Sequence, residues 1–151
     1  MKKALILGVF ILMVTSLLPS IAFANAYEYD GIIKEASKKY DVPFTTIKAM
    51  IAKESSFNSN AVPKNSNGEL ITSARGLMQM TRGACQDAGF NHDDMFDPYK
   101  NIMAGTKYLK MQMDYLGSYV KGIKAYYAGA GNVQRGIMKE EADAYFQGVM
   151  A

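Results

Sequence analysis

Apolar side chains recur at helical spacing along most of this chain, and the strict alternation of a half-buried strand is nearly absent. Ile32, Ile33, Ala36 and Tyr40 share one face of a predicted helix over residues 29–40, and Asp41-Val42-Pro43 ends it and starts the next, with the proline suited to a first turn. In that second helix Ile47, Met50 and Ile51 form a stripe, and Glu54 takes the next slot on it. The spacing therefore turns a carboxylate inward. Residues 58–73 are polar, with Pro63 and the turn signal Ser66-Asn67-Gly68, and predict a loop that can fold into a small hairpin. Two short helices are expected over 74–80 and 81–88, the second closed by Gly89. Asp97-Pro98 then caps a long helix repeating Ile102, Gly105, Leu109, Met113 and Leu116, which the pattern makes the central core helix. A helix over about 118–128 runs out at Gly129-Ala130-Gly131. The last, from about residue 140, carries Ala142, Tyr145, Phe146 and Val149 on one face. The class is mostly α, with at most a minor β-hairpin.

The N-terminus departs from this pattern. Met1-Lys2-Lys3 is followed by an apolar run from Ala4 to Leu18, a Pro19-Ser20 break and Ala22-Phe23-Ala24, the layout of a secretory signal peptide cleaved after Ala24. The run is short for a membrane span, so membrane contact is expected only through an uncleaved signal segment. Residues 25–151 hold no repeat or linker and read as one domain, exported to the periplasm or cell envelope. Removing residues 1–24 deletes two lysines and no acids, leaving 15 basic against 14 acidic side chains. Charge gives no reason to expect nucleic-acid binding. Cys85 is the single cysteine, which excludes an internal disulfide and reads as a small buried apolar side chain. The lone histidine, His92, sits before Asp93 and Asp94 without metal-ligand spacing, and reads as a solvated loop residue. No metal or cofactor is expected.

Three segments far apart in sequence combine residues that a plain core does not require. Glu54-Ser55-Ser56-Phe57 ends the second helix; Gly76-Leu77-Met78-Gln79-Met80 joins a small residue to an amide that can both donate and accept; Ala125-Tyr126-Tyr127-Ala128-Gly129-Ala130-Gly131-Asn132 sets an aromatic pair before glycines. Tyrosines supply apolar faces for sugar rings and hydroxyls that can hold a carboxylic acid. A carboxyl against apolar neighbours resists ionising, and a pKa of ~6 to 7 would let Glu54 donate a proton at neutral pH, as glycoside cleavage requires. The competing reading turns Glu54 to solvent, paired with Lys48 or Lys53.

At these residues the chain resembles the Slt-type lytic transglycosylases, relatives of goose-type lysozyme that cut bacterial peptidoglycan. The family pattern Glu-Ser-x-Phe, Gly-Leu-Met-Gln, Asp-Pro-x-x-Asn-Ile-x-x-Gly-x-x-Tyr-Leu and Ala-Tyr-Asn-Ala-Gly-Pro-Gly is met by residues 54–57, 76–79, 97–109 and 125–131. Tyr127 stands in place of the family asparagine, Ala130 in place of its proline, and Met80-Thr81 where a Met-Pro stretch is common. The resemblance implies a lysozyme-like helical fold with a glycan groove and Glu54 as the catalytic acid. It implies Tyr126 as the tyrosine that hydrogen-bonds that acid, and Ser55 and Gln79 as groove residues near the reacting sugar. Met78 is expected along the groove, and Tyr127 joins the substrate-binding set.

Ordinary glycosidases flank the bond with two carboxylates. Here Asp87, Asp93, Asp94, Asp114 and Glu69 fall in capping, loop or solvated contexts, so a single-acid route to 1,6-anhydromuramoyl ends fits better. Hydrolysis in the goose-type manner and a non-catalytic peptidoglycan-binding assembly role remain open at this level. By analogy, a small exported member could open the wall locally for a secretion, conjugation or pilus apparatus.

Overall fold

The computed structural model describes residues 26–151, so the expected signal segment lies outside the described residues. Helix α1 (Asp30–Tyr40) buries Ile33 and Ala36, and α2 (Phe44–Ser55) buries Thr46, Ile47, Met50 and Ile51. Both follow the sequence stripe. Helix α3 (Arg82–Ala88) begins where the Thr81 hydroxyl accepts from the Ala84 N–H at 3.2 Å and ends on Gly89. Helix α4 (Pro98–Leu116) begins as the spacing predicts, with the Asp97 carboxylate accepting from the Lys100 N–H at 2.8 Å and Pro98 in the first turn. Three more helices follow: α5 (Tyr119–Ala128), α6 (Ala130–Arg135) and α7 (Lys139–Met150).

Helix α4 is the axis of the fold. It buries an unbroken run from Asn101 to Thr106 and then Leu109 and Met113, because α1, α3 and α5 all pack on it. A methyl group at Gly122 would sit 2.7 Å from the Met113 Cα, so the α4 and α5 backbones nearly touch there. Helix α5 also packs on α6 and α7, and α7 reaches back to α2. The main core gathers Ile33, Ile47, Met50, Ile51, Ile102, Leu109 and Ile123. A smaller cluster of Met80, Ala84, Cys85, Met95 and Ala104 lies beside it. Cys85 is buried, and burial pushes its thiol up to about 11, so it stays protonated and unreactive.

Two local expectations need correction. Residues 74–80 form no helix: Arg75 and Met80 exchange backbone hydrogen bonds at 3.2 and 3.0 Å, and the chain between them turns through left-handed Gly76 and Gln79. Helix α5 does end at Gly129 as the spacing predicts, and the short α6, which the sequence does not signal, starts at once. His92 is buried, with Nε2 2.6 Å from the Ser73 carbonyl oxygen, in place of the expected solvated loop. The polar segment 58–73 holds one antiparallel bridge, Lys64 to Leu70, as its only hairpin character among the described residues.

Candidate active site

Helix α2 stops abruptly after Ser55, one residue past Glu54. Ser56 (φ 51°) and Phe57 (φ 63°) are both left-handed, a costly conformation for a bulky residue such as phenylalanine. This exit leaves Glu54 partly buried at the helix end, facing α5 and α7. The Tyr145 hydroxyl, from α7, donates to Glu54 Oε1 across 91 residues of sequence. Burial raises the Glu54 pKa above its ordinary 4.5, while the Tyr145 bond and the Lys53 ammonium oppose that rise. Lys48, one candidate partner of Glu54, instead pairs with Asp30 at 2.7 Å. Lys53 lies with its ammonium 5.4 Å from the Tyr145 ring centroid, resting against Gly148, where a Cβ would fall 2.5 Å from Nζ. The acid therefore faces inward, as its helical position requires.

The tyrosine holding the acid is Tyr145 and not Tyr126, which corrects the expectation drawn from the resemblance. Tyr126 donates its hydroxyl to the Met78 carbonyl at 2.7 Å and packs edge-on against Tyr108, the ring centroids 5.5 Å apart. Its own pKa is driven up by burial first and by the negative field of Glu54 second, so it sits near the acid without bonding it. Tyr145 is likewise kept fully protonated, by burial and then by Glu54. Sequence reading placed Tyr145 only on the apolar face of the last helix. Its hydroxyl on an otherwise apolar stripe was the available signal, the same signal that singled out Glu54.

Tyr127 is 48 % exposed, with its ring stacked on Tyr145 at 5.0 Å and 15°. It offers an open aromatic face directly beside the residue that touches Glu54. Ser55 donates to the Leu77 carbonyl at 2.8 Å or back to Ile51 at 3.1 Å, so its hydroxyl ties α2 to the 76–79 loop. Gln79 is left-handed (φ 48°), and its Nε2 donates to the carbonyls of Gly76 and Ala61 at 2.9 and 3.1 Å. Those bonds leave the Gln79 carbonyl oxygen as the atom able to meet a ligand.

Met78 does not line the groove. Its side chain is wholly buried under the loop, filling the space left by Gly105, where a Cβ would come within 2.5 Å of the sulfur. The loop is braced by Asn101, which sequence reading treated only as part of a motif. Its Oδ1 accepts from the Met78 N–H at 2.7 Å, and its Nδ2 donates to the carbonyls of Arg75 and Met95 at 2.9 and 2.8 Å. Gly76 is required at this spot, since a Cβ there would fall 2.1 Å from the Met95 carbonyl oxygen. Of the other carboxylates named in the sequence, four are engaged elsewhere, Asp93 with Arg75, Asp94 with Lys100, Asp114 with Lys110, and Glu69 with the Asn65 amide, while Asp87 is exposed on α3. Among the described residues no three His, Cys, Asp or Glu side chains converge as a metal site would need.

With this geometry in place, comparison with known proteins assigns the chain. The family described as the Transglycosylase SLT domain matches residues 31–147, and the chain belongs to that family. It is 33 % identical over 146 residues to the membrane-bound lytic murein transglycosylase C of Sodalis glossinidius, a match covering 85 % of this chain and 39 % of that protein. The protein of the same name from Cronobacter sakazakii is 34 % identical over 137 residues, covering 80 % and 36 %. The chain thus spans well under half the length of these relatives. The 70 kDa soluble lytic transglycosylase of Escherichia coli shares the fold, with a TM-score of 0.67 at 23 % identity over 82 % of this chain and 23 % of that one. The mostly helical, lysozyme-like transglycosylase fold implied by the motifs is the fold observed.

Proposed function

We propose that this chain cleaves the β-1,4 bond between N-acetylmuramic acid and N-acetylglucosamine in peptidoglycan and leaves 1,6-anhydromuramoyl ends. The observation that carries the reading is Glu54: a partly buried carboxyl with its pKa raised, one oxygen held by Tyr145, and no hydrogen bond to Oε2 from the described residues. Glu54 gives its proton to the linkage oxygen as the bond from that oxygen to the muramoyl anomeric carbon breaks. The substrate's own N-acetyl group stabilises the developing cation, as in substrate-assisted glycosidases. The muramoyl 6-hydroxyl then attacks the anomeric carbon and returns a proton to Glu54, which restores the acid without consuming water. Tyr145 orients the carboxyl through both steps. Tyr127 offers its open face to a sugar ring, and the Gln79 carbonyl oxygen accepts from a hydroxyl or N-acetyl N–H.

The engagement of Asp93, Asp94, Asp114 and Glu69 in ion pairs and an amide contact, with Asp87 exposed on α3, supports a one-acid mechanism. Mass spectrometry of digested peptidoglycan tests it. Anhydro ends are expected; hydrated reducing ends would mean a goose-type hydrolase, and binding without turnover would mean an assembly component. We read residues 1–24 as a signal for export to the envelope, where the mature domain would open the wall locally for a secretion, conjugation or pilus apparatus. N-terminal sequencing of envelope-fraction protein should begin at Asn25, and an uncut Met1 would overturn the cleavage.

A further inference from the structure

A pocket of about 440 Å³ opens between α5, α6 and α7. Lys121 and Lys124 of α5, Arg135 of α6 and Lys139 of α7 line it against a single carboxylate, Asp143. That carboxylate is committed to Lys124 at 2.5 Å. The pocket therefore carries an excess of three positive charges, in a chain whose expected mature form has a net charge of +1. Arg135 donates to Asn132 Oδ1 at 3.0 Å, which holds its side chain in place. Val133, Ile137 and Ala142 supply apolar surface. Several cations around a partly apolar hollow of this size suit a short peptide bearing more than one carboxylate better than a small inorganic anion.

The place of the pocket matters as much as its charge. Lys124 precedes Tyr127 on α5 by three residues, and Ala142 precedes Tyr145 on α7 by three, each separation being roughly one helical turn. Those two tyrosines stack on each other, and Tyr145 bonds Glu54. The same pair of helices thus walls both the acid and the basic pocket. In peptidoglycan each muramoyl sugar can carry a short peptide with free carboxylates, so a strand seated at Glu54 projects acidic peptide into its immediate surroundings.

We propose that the pocket between α5, α6 and α7 is a subsite for the carboxylate-bearing stem peptide of the strand, an inference that rests on the peptidoglycan-cleaving reading of Glu54. The test compares peptide-bearing strands with strands stripped by an amidase, using the wild-type chain and the double variant Lys121→Gln/Lys139→Gln. KM on peptide-bearing strands should rise about fivefold in the variant, as for loss of two exposed charge pairs, with a smaller change on stripped strands. The charge-keeping Lys121→Arg/Lys139→Arg should restore the wild-type ratio. In parallel, the amidase-released stem peptide is titrated into Glu54→Gln by NMR. Saturable, salt-weakened shifts at residues 121–142, reduced by the two glutamines, are expected. An equal effect on both strands, no effect on either, or no binding of the free peptide would overturn the subsite, as would a pocket that binds only an acidic protein. Should the wild type cleave neither strand, the activity reading fails, while the titration still reports on the pocket by itself.

Discussion

Asn101 on α4 and Glu54 at the exit of α2 are both polar side chains enclosed by the same fold, but their surroundings differ. The Asn101 amide lies wholly inside, with one bond accepted and two donated, and those three bonds hold the 75–78 and 95 backbone in register. Glu54 has one bond to Oε1, and its burial disfavours the charged form. A neutral amide with all its partners is a structural brace, because burying it leaves nothing unpaired. An acid with one partner and a raised pKa retains a proton it can give away, at some expense in stability once it ionises. Unequal satisfaction of buried polar groups therefore separates the amide that braces the 75–78 loop from the acid proposed to react.

The strongest break of this contrast is Glu54→Gln. Turnover should fall by ~10² to 10⁴, measured as release of soluble muropeptides. The same change should raise thermal stability at neutral pH. Burial lifts the Glu54 pKa above 4.5, so the folded state binds the proton more tightly than the unfolded state, and stability is lost as pH climbs from 4.5 through the folded value. Glutamine removes that loss, and the gain in melting temperature should be present at pH 7 and absent at pH 4. Activity of the wild type should decline on the alkaline side as Glu54 gives up its proton. A melting temperature lowered equally at both pH values would show that Glu54 is structural.

Asn101→Ala attacks the brace instead. It leaves the Met78 N–H and two carbonyls without partners, and should destabilise the fold by about 3 kcal/mol in urea titrations. Activity should fall only as far as the 76–79 loop loosens. If stability is unchanged, the amide is not the brace described here.

Tyr145→Phe sharpens the comparison by removing the one bond Glu54 has. Turnover should drop by about tenfold, the effect of losing one charge-assisted hydrogen bond in the reacting state. Because that hydroxyl favours the ionised carboxylate, its loss should also move the alkaline limb of the pH profile upward. A fall in rate with the limb unmoved would leave Tyr145 as packing alone. The smallest effect is expected from Tyr127→Asn, which restores the residue the family pattern carries. Losing a stacked ring of ~0.5 to 1.5 kcal/mol should raise KM a fewfold with little change in kcat. A lower KM would mean that the tyrosine obstructs the sugar.

Much of this was legible along the chain. The stripe Ile47, Met50, Ile51, Glu54 marked the inward acid, and Asp97-Pro98 marked the start of the central helix to the residue. The misreadings share one cause. Residues 74–80 look helical by composition, but Gly76 and Gln79 take left-handed φ because Asn101, far along the chain, holds the loop. Met78 looked like a groove residue until Gly105 on α4 opened a hole for it. His92 looked solvated because nothing local shows that the Ser73 carbonyl lies against it.

Helical period, capping residues and turn signals act within a few residues, so the sequence alone determined the order of most helices, their inner faces and the inward position of Glu54. Which tyrosine reaches that acid was decided only by tertiary structure. Tyr126 and Tyr145 each sit on an inner face, and either hydroxyl suits a carboxyl. The choice depends on how α2, α5 and α7 are packed, a relation between helices up to 91 residues apart that no local pattern encodes.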